Sequence, residues 1–178
     1  MANYDCSRPT LVESSRWRSS VSPTERGKHC ATRREIRLDS AFEEVMLGCA
    51  ERDETWIDEA LFQSYMALHR SGHAHSLEVW RDGVLAGGLY GVGIGGAFFG
   101  ESMFHRVPGA SKVALCRLVE RMRQGGFLLL DTQWVTPHLE KFGAREIRRE
   151  EYLQRLDEAI RAPARQDFLW GNLKPIQK

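Results

Sequence analysis

A chain of 178 residues suits one domain, or one domain with ragged ends, and leaves little room for two. Its 42% hydrophobic and 28% charged residues exclude wholesale disorder, and 25 basic against 24 acidic residues exclude a uniformly basic nucleic-acid binder while allowing local basic patches. No apolar stretch approaches the ~18 residues of a membrane span. The opening MANYDCSRPTLVESSRWRSS carries charge where a secretory signal needs its apolar centre. Cys6, Cys30, Cys49 and Cys116 show no CxxC spacing, which argues against zinc and against a disulfide framework. The expectation is a cytoplasmic protein with no membrane contact.

Residues 1–34 are rich in Ser, Arg, Thr and Pro and show no hydrophobic period, so they read as a flexible segment ahead of a domain at 35–178. Eight Lys/Arg face four Asp/Glu over residues 1–37, and an arm that meets polyanions is the alternative reading. From Glu35 the patterns become regular. EIRLD alternates like a strand, Asp39 or Ser40 is placed to cap a helix, and Phe42, Val45, Met46 and Cys49 follow at helical spacing. A second helix is expected from about Asp58, with Leu61, Tyr65 and Leu68 inward and Gly72 closing it. HSLEVWRD and VLAGGLYGV flank Asp82-Gly83, a strong hairpin signal, and AFFGESMF reads as the next strand. A helix from about Ser111 buries Val113, Leu115, Leu118, Val119 and Met122 and stops at Gly125-Gly126. FLLLDTQ is a continuous apolar run typical of a strand covered on both faces; PHLEKFG and REEYLQRLDEAI give two further helices. This order makes an α/β chain with a mixed sheet and helices on both faces.

Several motifs have two readings. Gly91, Gly93 and Gly96 have GxGxxG spacing, but a dinucleotide fingerprint needs a strand before it and a helix after it, and this run lies between two strands. A hairpin turn, or backbone closely approached by another group, fits better. His73 and His75 lack a third ligand at a recognisable interval, so local hydrogen bonds are favoured over metal. Asp131 ends an apolar run, where a carboxylate is expensive unless hydrogen-bonded. Strand periodicity puts Asp131 and Gln133 on one face at the end of a strand, a usual place for a site; a structural turn cap is the alternative. Glu101, among aromatics in FFGESMF, also needs a reason. Trp56 suits a core lid or a base-stacking platform, and Phe98, Phe99, Phe104 and Leu89 suit a core or a pocket lining.

GHAHSLEVWRDGVLAGGLYGV, FFGESMFHRVPGASKVAL, LLLDTQ and FGAREIRREEYL, with FEEVMLGCAERDETWI upstream and the closing DFLW, resemble the leucyl/phenylalanyl-tRNA–protein transferase family from about Arg37 to Trp170. The resemblance implies a GNAT-like acyltransferase fold, and transfer of Leu or Phe, sometimes Met, from charged tRNA to proteins that begin with Arg or Lys, within the bacterial N-degron pathway. It implies no cofactor and no metal. Asp131 and Gln133 match the catalytic pair, Gln133 holding the ester carbonyl while Asp131 orients it or helps remove a proton from the amine. Glu101 matches the pocket carboxylate, Trp56 a contact to the terminal adenosine, and Phe98, Leu89, Leu115 and Leu118 the lining of the acyl side-chain pocket. The polar pair is thus expected to face that apolar hollow. Arg26, Lys28, Arg33, Arg34 and Arg37 loosely represent a basic cluster expected to touch tRNA.

The departures are that nothing before Arg37 matches the family's N-terminal domain, Trp17 in SSRWRSS included, and that Thr136 stands where Asn is common. Chemistry is therefore expected to be kept while tRNA grip is reduced. A GNAT-fold acyltransferase with a changed donor and a non-catalytic module binding tRNA ends or basic N-termini are the alternatives.

Overall fold

The computed structural model describes residues 10–13, 34–51, 55–140, 143–165 and 169–171. In chain order its elements are β1 (Thr10–Glu13), β2 (Arg34–Leu38), α1 (Phe42–Ala50), α2 (Glu59–Arg70), β3 (Ala74–Arg81), β4 (Val84–Ile94), β5 (Ala97–His105), α3 (Ala110–Gln124), β6 (Leu129–Asp131), α4 (Pro137–Glu140), β7 (Ala144–Glu146) and α5 (Arg149–Arg161). The strands form one sheet in the order β2-β3-β4-β5-β6-β1-β7, antiparallel except for the parallel pair β5 and β6. This is the mixed, mostly antiparallel α/β sheet read from the sequence. Among the described residues no helix is long and apolar enough to cross a membrane.

Local chemistry accounts for the elements. Asp82 and Gly83 both adopt positive φ, 53° and 79°, as the two-residue turn between β3 and β4 requires. Of the glycine run, Gly91 and Gly93 lie within β4, and Gly95 and Gly96 make the next turn, between β4 and β5. There a Cβ on Gly95 would collide with the Ile160 carbonyl, and the Gly96 N–H donates to the Ala159 carbonyl at 2.7 Å. The end of the run is therefore a turn pressed against the end of α5, as the sequence favoured.

The sheet separates two apolar layers. Leu77, Leu89, Phe98 and Leu130 pack with Ala114, Leu115, Leu118 and Met122 of α3. On the other face Tyr90, Phe104 and Leu85 pack with α1 and α2, while Ala97 and Leu129 pack with Ala159 of α5. Leu129 and Leu130 are buried in different layers, which is why the apolar run in β6 has no alternation.

Three expectations are corrected. β1 lies in the sheet between β6 and β7, within the stretch read as a segment without period; four residues are too few to display one. The rest of 1–33 lies outside the described residues. Neither Asp39 nor Ser40 caps α1. That end is held by Glu78, reaching from β3 to accept from the Ser40 N–H, the Ala41 N–H and the Ser40 hydroxyl at 3.2, 3.4 and 2.8 Å. A cap supplied through space has no local sequence signature. In α2, Asp58 does cap, accepting from the Leu61 N–H at 2.8 Å, but the packed face runs through Phe62, Tyr65 and Met66 and leaves Leu68 exposed.

Candidate active site

β5 and β6 pair over three residues only, Ala97 with Leu129, Phe98 with Leu130 and Phe99 with Asp131. β6 ends there, while β5 runs on to His105. The carboxyl end of a parallel strand pair is thus left with an open side, the position at which α/β sheets commonly bind ligands.

Asp131 and Gln133 are brought together, though not as strand periodicity suggested. The strand stops at Asp131, and Gln133 takes a left-handed conformation, φ 65°, which costs a non-glycine residue roughly 1–2 kcal/mol. Asp131 offsets this by accepting the Gln133 backbone N–H on Oδ1 at 2.8 Å. The turn swings the Gln133 amide toward β5, where its Nε2 donates to Glu101 Oε2 at 3.0 Å. Glu101 stands at an irregularity between β4 and β5, since Tyr90 pairs with Ser102 and Gly91 with Gly100. An extra residue at such a bulge is re-aimed out of the sheet's alternation.

Two phenols complete the chain. Tyr152 of α5 donates to Asp131 Oδ2 at 2.7 Å, and Tyr65 of α2 donates to Glu101. Burial, then its neighbouring carboxylate, pushes each phenol's ionisation well upward, so both remain proton donors at any working pH. Burial also raises the Glu101 pKa, with the Asp131 charge adding to it; the bonds from Tyr65 and Gln133 oppose this. The result is a continuous line, Tyr65–Glu101–Gln133–Asp131–Tyr152, spanning the opening between β5 and β6. It fixes one amide plane, and it holds a carboxyl able to take up a proton more readily than an ordinary glutamate.

The apolar residues stand elsewhere. Leu89, Phe98, Leu115 and Leu118 are each 5% exposed or less and belong to one packed layer against α3, together with Trp170. Trp170 lies 5.2 Å from the Phe98 ring and stacks on His75 at 4.3 Å. Asp131 shares its side of β6 with Leu129, the α5 face, so the expected arrangement of polar pair and apolar lining on one side is corrected: the sheet lies between them. Trp56 is 47% exposed in the loop leading to Asp58.

Of the basic cluster, Arg34 begins β2 opposite Arg81, and its Nε and Nη1 are buried without a hydrogen-bond partner among the described residues. Arg37 pairs with Glu35 at 2.9 Å and lies over the Trp80 ring at 4.3 Å. Arg26, Lys28 and Arg33 lie outside the described residues. His75 Nδ1 meets Asp39 at 2.8 Å and His73 Nδ1 meets Ser71 at 3.0 Å, the local satisfaction expected of them. No group of three or more potential metal ligands occurs among the described residues.

Sequence reasoning missed the tyrosines as site residues. Tyr65 was visible only as a helical core position, and Tyr152 carried no signal by spacing. A phenol inside the apolar stripe of a helix was the available cue, since a buried hydroxyl needs a partner.

The family model for leucyl/phenylalanyl-tRNA protein transferase matches residues 16–157, which contain every member of this line. A leucyl/phenylalanyl-tRNA–protein transferase of Herpetosiphon aurantiacus is 58% identical over 130 residues, covering 73% of this chain and 68% of that protein. Its counterpart in Rubrobacter xylanophilus is 57% identical over 71% of this chain and 67% of its own length. That of Phenylobacterium zucineum is 58% identical over 73% of this chain, and the match spans 61% of that protein, less than two thirds. Among solved structures, AAC(6')-Iy bound to a bisubstrate analogue aligns with a TM-score of 0.42 at 14% identity, over 75% of this chain and 93% of that one. On the family match and these identities, the chain belongs to the leucyl/phenylalanyl-tRNA–protein transferase family.

Proposed function

We propose that this protein moves an aminoacyl group, Leu or Phe and in some cases Met, from a charged tRNA to the α-amino group of a protein that begins with Arg or Lys, in the cytoplasm and as part of an N-degron pathway. The observation that carries the reading is the line Glu101–Gln133–Asp131 across the open end of the parallel strand pair, inside the family-matched span. An aminoacyl ester is already activated. The acceptor nitrogen attacks its carbonyl carbon, the C–N bond forms, the C–O bond to the terminal ribose breaks, and the amine proton ends on the released ribose oxygen. The protein therefore has to position two groups and stabilise charge on the carbonyl oxygen. Gln133 supplies the fixed amide for the ester carbonyl. Asp131, with both oxygens already bonded, orients Gln133, and Glu101, with its raised pKa, relays the proton.

Trp56 is proposed to stack on the terminal adenosine; its half-exposed ring supports this. Arg26, Lys28, Arg33, Arg34 and Arg37 are proposed to meet tRNA phosphates, a role supported by the local excess of basic over acidic residues across 1–37. The layer containing Leu89, Phe98, Leu115 and Leu118 is closed by packing and lies across the sheet from Asp131, so the donor side chain is not assigned to it.

The test is transfer of labelled Leu or Phe from tRNA to a peptide beginning with Arg, with product expected from wild type and loss in Asp131→Ala. No product from wild type above that control at high tRNA concentration would reject the activity. The closed packing of Trp170 in the apolar layer favours one second reading, an acyltransferase of the same fold with a different donor. Profiling which charged tRNAs the protein retains separates the two.

A further inference from the structure

We propose that Tyr152 is a positioning residue for the transfer: its phenol fixes the plane of the Asp131 carboxylate, and through it the left-handed backbone that aims Gln133. The inference rests on the reading above, that Asp131 and Gln133 serve the reaction, and adds to it a group from a different element.

A carboxylate on a short side chain has a broad, weakly defined terminal torsion. One donor leaves its plane free to turn about that contact. Here each oxygen has its own donor: the Gln133 N–H on Oδ1 at 2.8 Å and the Tyr152 hydroxyl on Oδ2 at 2.7 Å. Two donors on two oxygens set the plane. The backbone that Asp131 then holds is the one at φ 65°, a conformation glutamine adopts only when its surroundings impose it. Without the phenol the carboxylate turns, the Gln133 N–H loses its fixed acceptor, and the side-chain amide wanders from its 3.0 Å contact with Glu101.

Tyr152 is not required to anchor its own helix. α5 is fastened at its far end, where the Ala159 carbonyl accepts the Gly96 N–H at 2.7 Å and Ala159 is fully buried with Ala97 and Leu129. Its other helical neighbour in that layer is Leu156, one turn further on. The hydroxyl can therefore be removed while the ring and the helix stay in place, which makes Tyr152→Phe a clean substitution.

The experiment is steady-state transfer of labelled Leu from charged tRNA to an Arg-initiated peptide, comparing the full-length wild type, Tyr152→Phe, Asp131→Ala and the double variant, alongside amide hydrogen exchange at Gln133. Tyr152→Phe is expected to lower kcat about tenfold with KM for the charged tRNA within about twofold. The double variant should be no slower than Asp131→Ala alone, because the phenol acts only through that carboxylate. The Gln133 amide should exchange at least about tenfold faster in Tyr152→Phe than in wild type. A kcat equal to wild type, losses that multiply in the double variant, or an unchanged Gln133 exchange rate would each overturn the proposal. If wild type itself transfers nothing, the functional reading falls while the exchange comparison still decides whether Tyr152 holds this turn.

Discussion

Two buried carboxylate clusters in one sheet show what distinguishes a cap from a site. Glu78, fully buried on β3, collects the Ser76 hydroxyl at 2.6 Å in addition to the Ser40 hydroxyl and the backbone N–H groups that open α1. Its donors belong to a strand and to the start of a helix that the bonds hold in place. Asp131 and Glu101 are also bonded, yet the residue they share is an exposed glutamine, held by its backbone N–H and its side-chain amide at the end of a strand pair that has just come apart. A pKa raised by desolvation is common to Glu78 and Glu101, so that property does not mark function. What differs is whether the bonded group is presented outward in a conformation that costs energy to hold.

The largest effect expected from this contrast is at Gln133. Gln133→Ala should lower kcat by about 10²–10³ with little change in Tm, since it removes a positioned donor and no core packing. The mirror-image result belongs to Glu78. Glu78→Ala strands the Ser40 and Ser76 hydroxyls and the start of α1, and should cost about 2–3 kcal/mol of stability in denaturant titration while the surviving folded fraction keeps its kcat. Loss of turnover without loss of stability at Glu78 would erase the distinction.

The pH dependence of stability separates the clusters more gently. Burial raises the folded-state pKa of Glu78 above its unfolded value despite the serine and backbone bonds, and burial does the same to Glu101. Each folded-state group binds its proton more tightly than the unfolded chain. The stability it contributes is thus fully present below the ordinary glutamate pKa and is lost as pH rises through the raised value. Glu78→Gln should flatten one part of that decline and Glu101→Gln the other, with only the second altering the pH profile of transfer. The smallest effect lies at the basic cluster. Arg37→Ala should leave kcat intact and reduce the slope of log affinity for tRNA against log salt by about 0.7–0.9, the share of one phosphate contact.

Much of the fold was legible because its signals are local. Asp82-Gly83 needs two positive φ values, Asp58 caps its own helix, and Phe42, Val45, Met46 and Cys49 repeat at helical spacing, so these elements stand where the sequence puts them. The Glu78 cap and the short β1 were not legible, one being a contact across 38 residues and the other too brief for a period. The site followed the same rule. Asp131 and Glu101 were visible as carboxylates in apolar runs, whereas Tyr65 and Tyr152 become site residues only when helices from distant parts of the chain fold against the same strand ends. The division of Asp131 from Phe98 and Leu89 was misjudged because the sequence of β6 shows that both its faces are covered, without saying by what.

The most direct test is single-turnover transfer of labelled Leu from tRNA to an Arg-initiated peptide by wild type and Asp131→Asn. Asparagine keeps the shape of the side chain but carries no charge, so the charge-assisted hold on the Gln133 N–H weakens and the Tyr152 hydroxyl can meet the amide nitrogen only by accepting from it. A fall of about 10²-fold in the chemical step, with charged tRNA still bound as tightly, is the predicted result. Equal rates in the two proteins would contradict the claim that this carboxylate holds the reacting amide in place.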